Sequence, residues 1–236
     1  MMSEEEPQKT KIDCVGAGIA AGASVEAKGA LRINFSIQHL LAAAHFSRHV
    51  AEVEQAHKGE PFGAFFEEII WFSSACVLSC TAGLEAYANE LFVDRSEHFP
   101  DLRPEVADKL WELFEQKPTL EKFDMALLLK KKPVLDRGSR PTQDVAALVA
   151  LRNGLTHFKP EWDNEQVAHA KLSQQLAHRF MPSPFLAAGE SIFPRCWATH
   201  GCTQWALKSC VDLLTSFESL SGVPARAAKF AARLSG

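Results

Sequence analysis

Three polar side chains in the second half of this chain carry the chemistry needed to hold and cleave a phosphodiester. Arg152, Asn153 and His157 fall in a segment whose apolar spacing predicts a helix, and Asn153 and His157 are four residues apart. They therefore share about one and a half helical turns. A guanidinium can neutralise a phosphate, an amide can orient one of its oxygens, and an imidazole can transfer a proton near neutral pH.

The position of Arg152 within its helix predicts an anionic partner. Arg152 comes three residues after Val149 and four after Leu148, on the stripe expected to face the core. A buried charge is costly unless a carboxylate or a ligand phosphate meets it. Glu85 interrupts the apolar face of an earlier helix in the same way, so we predict a Glu85–Arg152 salt bridge. This pair either fixes the register of two helices or orients the guanidinium toward a phosphate.

The role of His157 has two interpretations. At the end of a helix, its imidazole and the ammonium of Lys159 can interact with the negative end of the helix dipole. Alternatively, the imidazole takes a proton from a ribose 2′-hydroxyl while Arg152 stabilises the extra negative charge of the pentavalent phosphorane. No carboxylate cluster with metal-ligand spacing lies near this segment, so the predicted chemistry uses neither a metal nor a cofactor.

Further residues are candidates for contact with RNA. The cations Lys130, Lys131, Lys132 and Arg140, together with Lys159, predict a phosphate-binding patch, although a lysine run is also typical of a solvated helix end. Tryptophan can stack on bases, and Trp162 is a candidate. The other two late tryptophans, Trp197 and Trp205, are eight residues apart, which favours a place in the core.

Composition bounds the class of protein. The 236 residues are 47% hydrophobic and carry a net charge of −4, so a strong overall basic field is lacking, although a local basic cleft remains possible. No uninterrupted apolar stretch reaches the ~18 residues of a membrane span, and the acidic start has no signal-peptide pattern. We therefore expect a cytoplasmic protein without membrane contact. Its six cysteines are expected to be reduced and buried, and Cys196, His200 and Cys202 match no common zinc-finger spacing.

The periodicity of apolar residues predicts an all-α protein with an antiparallel helix bundle. We expect an irregular N-terminal arm over 1–35, whose glycines do not match a dinucleotide-binding loop, and one helical domain over 36–236. Helices are predicted at 36–57, 62–93, 104–115, 118–130, 141–158, 163–180 and 196–221, with a loop from Met181 to Pro194 and a short basic helix at the end.

The spacing of Arg152, Asn153 and His157 resembles the Arg-Asn-x-x-x-His signature of the HEPN (higher eukaryotes and prokaryotes nucleotide-binding) superfamily. The segment Leu84-Glu85-Ala86-Tyr87-Ala88-Asn89-Glu90-Leu91 resembles the acidic helix of that family. The resemblance spans roughly residues 36 to 222. It implies a dimerising helix bundle and metal-independent endoribonuclease activity of toxin or antiviral-defence type. Arg152 and His157 would be catalytic, Asn153 supporting, and Glu85 a possible fourth member.

Three functions remain open at this point. The first is the ribonuclease just described, acting as a homodimer and partnered with an antitoxin. The second is a noncatalytic nucleotide- or RNA-binding module, partnered with a nucleotidyltransferase. The third is a helical interaction protein in which the Arg–Glu pair is structural. A dimer that gathers two copies of Arg152 and His157 in an open cleft favours the first function, a cleft without His157 the second, and a fully buried motif the third. The N-terminal arm, the extra C-terminal helices and the acidic pI leave the substrate open.

Overall fold

Every regular element in the described chain is helical. The computed structural model describes residues 33–162 and 167–234, and within these ranges it contains no β-strand. The predicted all-α fold is therefore confirmed, whereas nearly all of the predicted N-terminal arm lies outside the described residues. The elements are α1 (Ser36–Ala56), α2 (Phe65–Val93), α3 (Arg95–His98), α4 (Pro104–Phe114), α5 (Thr119–Leu129), α6 (Arg140–Thr156), α7 (Val167–Leu176), a π-helical turn (Ile192–Cys196), α8 (His200–Ser221) and a 3-10 helix (Ala227–Arg233).

The predicted helix ends agree with these bounds to within a few residues, with two informative differences. Residues 163–166, where the seventh helix was expected to begin, lie outside the described ranges, and that helix ends at Leu176 rather than near 180. The last long helix begins at His200 instead of 196 because Thr199 is extended and its hydroxyl accepts the Cys202 N–H at 2.9 Å. This side-chain cap fixes the start of α8.

Three long helices form the core. The helices α1 and α2 are joined by a short connection and run antiparallel, whereas α8 packs against both. The Cys76 thiol lies 3.8 Å from the Thr203 carbonyl, and the Tyr87 hydroxyl donates to Glu218 at 2.9 Å. Residues therefore advance in the same direction along α2 and α8, so these two neighbours within the bundle are parallel.

The composition of α2 reflects its central place. This 29-residue helix has a mean hydropathy of 1.5 over its most apolar 18-residue window, enough in length and composition to cross a membrane. The sequence analysis looked for an uninterrupted run of apolar residues and found none. Mean hydropathy tolerates interruptions by polar residues and therefore identifies α2. Core helices of globular proteins pass the same test, and in this fold Cys76, Val77, Cys80 and Tyr87 are fully buried against α1 and α8. Packing between helices thus accounts for the buried part of that window, which is 44% of it.

The cysteines behave as small buried side chains, as predicted. Five of them are described, and each is a free, buried thiol, whereas Cys14 lies outside the described residues. Burial raises the pKa of Cys202, and the neighbouring Cys80 thiol together with burial raises that of Cys76. A raised pKa disfavours the reactive thiolate. These groups are therefore chemically inert and serve packing.

Carboxylates from distant parts of the chain cap two of the core helices. The Glu90 carboxylate accepts the backbone N–H groups of Phe35 and Ser36, both at 2.9 Å, at the start of α1. Glu54 of α1 accepts the His200 N–H at 2.8 Å at the start of α8. The first N–H groups of a helix have no partner within it and carry partial positive charge. These carboxylates accept the hydrogen bonds of those groups and balance their charge.

Close packing between α1 and α2 depends on a glycine. A Cβ atom at Gly83 would lie 2.9 Å from Leu40 Cδ2 and 3.1 Å from the Ser36 carbonyl oxygen. We expect Gly83→Ala to lower the free energy of unfolding by about 1–3 kcal/mol, the usual cost of overpacking a core, despite the higher helix propensity of alanine. Urea denaturation measures the change.

Gly201→Ala, in the first turn of α8, is the matched control. The added Cβ would lie 3.5 Å from its nearest neighbour, the Thr199 hydroxyl oxygen. This variant should be neutral or more stable than the parent. Equal destabilisation by both substitutions would contradict the proposed close approach of α1 and α2.

Candidate functional site

The candidate site lies at the C-terminal end of α6. Ser139 precedes this helix, Pro141 occupies its first turn, and His157 follows its last residue, donating its backbone N–H to the Asn153 carbonyl at 2.9 Å. The side chains of Asn153 and His157 are exposed, whereas Arg152 is half-buried. The structure therefore keeps the three residues together on the surface, within the last turn and a half of helix.

The predicted position of Arg152 in the middle of the buried stripe is wrong. The buried face of α6 consists of Thr142, Asp144, Val145, Ala147, Leu148 and Leu151. This face is centred on Leu148 and Leu151, so Arg152 and Val149 lie at its margin and are only half-buried. The buried charge of the helix is Asp144, whose carboxylate binds Arg179 and lies 3.4 Å from Arg140.

The predicted Glu85–Arg152 salt bridge is also wrong. The Glu85 carboxylate accepts hydrogen bonds from the Thr119 hydroxyl and the Lys122 ammonium, both on α5. Lys122 is 1% exposed, and its ammonium also donates to Asn89 Oδ1 at 2.9 Å. Helix α5, not α6, therefore supplies the cation that balances Glu85.

The guanidinium of Arg152 has no partner within the described residues 33–162 and 167–234, where it takes part in no ion pair or hydrogen bond. The backbone carbonyl of Arg152 accepts a hydrogen bond from the Thr156 hydroxyl at 2.9 Å. The same described residues offer no partner to the His157 ring or the Asn153 amide. A half-buried guanidinium with all of its donors unused is suited to binding an external anion such as a phosphate.

Two residues that the sequence analysis missed hold the loop after the motif. The Glu161 carboxylate accepts the N–H groups of Ala168 and His169, at 3.2 and 3.1 Å, at the start of α7. The hydrogen bond from the His169 N–H lowers the pKa of Glu161 most, and the one from the Ala168 N–H lowers it further. The carboxylate is therefore charged at neutral pH. His169 Nε2 lies 3.0 Å from the Lys159 carbonyl, and its ring stacks on Phe158 with centroids 5.4 Å apart.

A usable signal for His169 existed in the sequence. His169 is 5% exposed and shares the buried face of α7 with Leu172 and Leu176. Its imidazole thus interrupts an apolar stripe at helical spacing, as Lys122 does beside Phe123 and Ala126 in α5. Glu85 was selected as a charged side chain that interrupts an apolar helix face. The same criterion, extended to polar side chains, selects His169 and Lys122.

Gly154, inside the motif, allows α7 and the π-helical turn to approach α6. A Cβ atom at this position would lie 2.6 Å from Leu172 Cδ2 and 3.5 Å from the tip of the Phe193 ring. Helix α7 carries His169, which binds the loop that follows His157. Because residue 154 has no side chain, α7 can pack close to the end of α6 and place His169 against the loop.

The predicted phosphate-binding cations do not converge on one cavity. Lys130, Lys131 and Lys132 line a cavity of about 510 Å³, where the Lys130 ammonium donates to the His98 carbonyl at 3.1 Å. Arg140 lines another cavity, of about 500 Å³, and faces Asp144. Lys159 is exposed on the loop that follows the motif. Of these cations, Lys159 is the one adjoining the candidate site in sequence.

A possible metal-ligand group lies at the end of α2. In the described part of the chain, Asp94, Glu97 and His98 form the one group of three potential ligands whose donor atoms are mutually close. The Arg226 guanidinium lies 3.6 Å from the Asp94 carboxylate and 3.3 Å from His98 Nε2. The positive charge of that guanidinium opposes the binding of a cation.

Comparison with protein-family models, with curated proteins and with solved structures found no match to this chain. The resemblance to the HEPN superfamily therefore depends on Arg152, Asn153, His157 and the acidic segment of α2, together with the helical fold.

The observed Glu85–Lys122 ion pair has a measurable effect on the free energy of unfolding. Glu85→Ala should lower the free energy of unfolding by about 3 kcal/mol, because it leaves the buried Lys122 ammonium without its anion. Lys122→Met should cost less, because the side chain of Glu85 is 39% exposed and its carboxylate stays hydrated. The double variant gives the coupling energy between the two residues from urea denaturation.

Arg152 provides the control for this cycle. Arg152→Ala should change the free energy of unfolding by less than about 1 kcal/mol and should show no coupling to Glu85, since no salt bridge joins the two residues. A coupling energy that is larger for Glu85 with Arg152 than for Glu85 with Lys122 would support the predicted Glu85–Arg152 salt bridge instead.

Proposed function

We propose that the protein is an endoribonuclease that cleaves RNA through attack of a ribose 2′-hydroxyl on the adjacent phosphate. The observation that carries this proposal is the set of side chains of Arg152, Asn153 and His157 at the surface end of α6, none of which is engaged by another described residue. A purely structural motif would pair its guanidinium with a carboxylate, as Lys122 is paired with Glu85. These three groups instead remain available to a ligand.

Each group has a role in the proposed reaction. The His157 imidazole accepts the proton of the 2′-hydroxyl, and the 2′-oxygen forms a bond to phosphorus. The bond from phosphorus to the 5′-oxygen then breaks, leaving a 2′,3′-cyclic phosphate and a 5′-hydroxyl that receives a proton. Arg152 stabilises the negative charge that accumulates on the phosphate oxygens, and the Asn153 amide orients one of them. No step of this reaction requires a metal ion.

The reaction calls for an acid as well as a base, and a second copy of the motif supplies it. Within the motif and the loop that follows it, residues 152–162, His157 is the one imidazole, and the nearby His169 is buried against Lys159 and Phe158. We therefore propose a homodimer in which a two-fold axis brings two motifs together. One His157 then acts as the base and the other as the acid.

The biological setting is proposed from the resemblance alone. Related ribonucleases act as toxins or in antiviral defence, so we propose a cytoplasmic enzyme controlled by an antitoxin partner. Glu85 has a smaller role than expected, because its carboxylate is already bound by α5. A noncatalytic RNA-binding module, partnered with a nucleotidyltransferase, is the alternative if RNA binds without being cleaved.

The proposed chemistry predicts a large effect of removing the base. His157→Ala should lower the rate of RNA cleavage by roughly 10²–10⁴, the range expected for the loss of a general base, while the far-ultraviolet circular dichroism stays unchanged. Cleavage is followed by gel electrophoresis of a labelled single-stranded RNA, and the 2′,3′-cyclic phosphate is identified by mass spectrometry.

His45→Ala, at an exposed position on α1, is the matched control and should leave the rate unchanged. Cleavage that survives His157→Ala, or that EDTA abolishes, contradicts the proposal. Binding of RNA without cleavage by the parent protein supports the noncatalytic alternative.

The proposed dimer can be tested by cross-linking near its axis. With Cys14 replaced by serine, the remaining cysteines are buried. A cysteine introduced at Asn153 should then join two chains through a short bis-maleimide, because the two motifs face each other. The same reagent should fail with a cysteine at Ser96, an exposed position on α3. Light scattering that shows a monomer at micromolar concentration, or equal cross-linking at both positions, overturns the dimer.

A further inference from the structure

Residues 158–162, which follow the candidate site along the chain, expose two aromatic side chains. Trp162 is 78% exposed and Phe158 is 48% exposed, and both follow His157 within five residues. The other late tryptophans, Trp197 and Trp205, are 2% and 8% exposed, so their predicted place in the core is confirmed. Of the three tryptophans considered for base stacking, Trp162 is therefore the one whose ring is accessible.

Within this segment, Phe158, Lys159 and Glu161 are each held by contacts with α7. Glu161, the residue before Trp162, binds two N–H groups at the start of α7. The Lys159 carbonyl is bound by the buried His169, whose ring also supports one side of Phe158. An aromatic ring on an anchored loop loses little conformational freedom when a ligand binds, so its contact with that ligand is not offset by a large ordering cost.

Two cations precede Trp162 in the sequence. From Val145 to Pro160 the sequence contains Arg152 and Lys159 but no aspartate or glutamate. Trp162 itself is flanked by Glu161 and Asp163, and the Glu161 carboxylate is already bound by two backbone N–H groups at the start of α7. In the described ranges neither cation forms an ion pair. The ring of Trp162 likewise contacts no other aromatic ring among the described residues. Exposed aromatic rings interleaved with free cations are the combination by which proteins bind single-stranded nucleic acid, where bases stack on the rings and the cations follow the phosphates.

We infer that Trp162, supported by Phe158 and Lys159, is a stacking platform for an unpaired base of single-stranded RNA, next to the phosphate held by Arg152. This inference rests on the proposed function for its position beside the cleavage site. It assigns the substrate class as single-stranded rather than duplex RNA, because bases within a duplex are already stacked on each other and do not offer a free face.

Binding of an uncleavable oligonucleotide tests the platform separately from catalysis. The probe is a fluorescein-labelled 12-nucleotide 2′-O-methyl RNA, which lacks the attacking hydroxyl, and its affinity is measured by fluorescence anisotropy. Trp162→Ala should weaken binding about 5- to 150-fold, the range that loss of one base–aromatic stack corresponds to. Trp162→Phe, which retains a ring, should stay within about threefold of the parent protein.

Trp71 supplies the matched control, because it is 63% exposed on α2. Trp71→Ala should bind the probe like the parent protein, and a duplex of the same sequence should bind more weakly than the single strand. The inference is overturned if Trp162→Ala binds normally, if both tryptophan variants lose affinity equally, or if the duplex binds as well as the single strand. Sedimentation with anionic phospholipid vesicles that depends on Trp162, without binding of the oligonucleotide, also overturns it in favour of a membrane contact.

The outcomes separate this inference from the proposed function. If Trp162→Ala loses affinity for the probe but the parent protein cleaves no RNA, the platform stands and the ribonuclease proposal fails. If the parent protein cleaves RNA and Trp162→Ala binds the probe normally, the ribonuclease stands and the platform fails.

Discussion

The arrangement of this bundle depends on carboxylates that satisfy helix N-termini from a distance. Glu90 of α2 binds the first N–H groups at the start of α1, and Glu54 of α1 binds the start of α8. Glu90 also meets the Arg226 guanidinium at 3.0 Å, which links the C-terminal segment to the same end of the bundle. Because each carboxylate meets the positive end of another helix dipole, these contacts stabilise the observed order and direction of the helices.

The same principle operates at the candidate site on a smaller scale. Glu161 binds the start of α7, so this contact holds the segment after the motif rather than a bundle helix. The consequence for the site is that residues 158–161 are tied to α7, although they contain no regular secondary structure. Rigid support of this kind keeps functional side chains on a loop in a fixed geometry.

The helices could be predicted from the sequence, because apolar periodicity reports which residues face a core. The arrangement of those helices could not. Glu85 was predicted to lie on the apolar face of α2 and to need a cation, and its half-exposed carboxylate does bind one. Periodicity does not say which helix supplies that cation, and Lys122 of α5 supplies it instead of Arg152. The grouping of Arg152, Asn153 and His157 was predictable because one helix carries all three. His169 could be recognised as a polar residue on an apolar stripe of α7, but its partner could not, because the hydrogen bond to the Lys159 carbonyl joins α7 to the preceding loop.

The parallel neighbours α2 and α8 also determine the order in which the protein can mature during synthesis. The ribosome makes the 106 residues from 94 to 199 after α2 is complete and before α8 begins. At ordinary elongation speeds this takes roughly 5–20 s. Throughout that time α2, the most apolar helix of the chain, has α1 on one side and no α8 on the other. The nascent chain therefore exposes a hydrophobic surface that favours binding by a chaperone until its last long helix emerges.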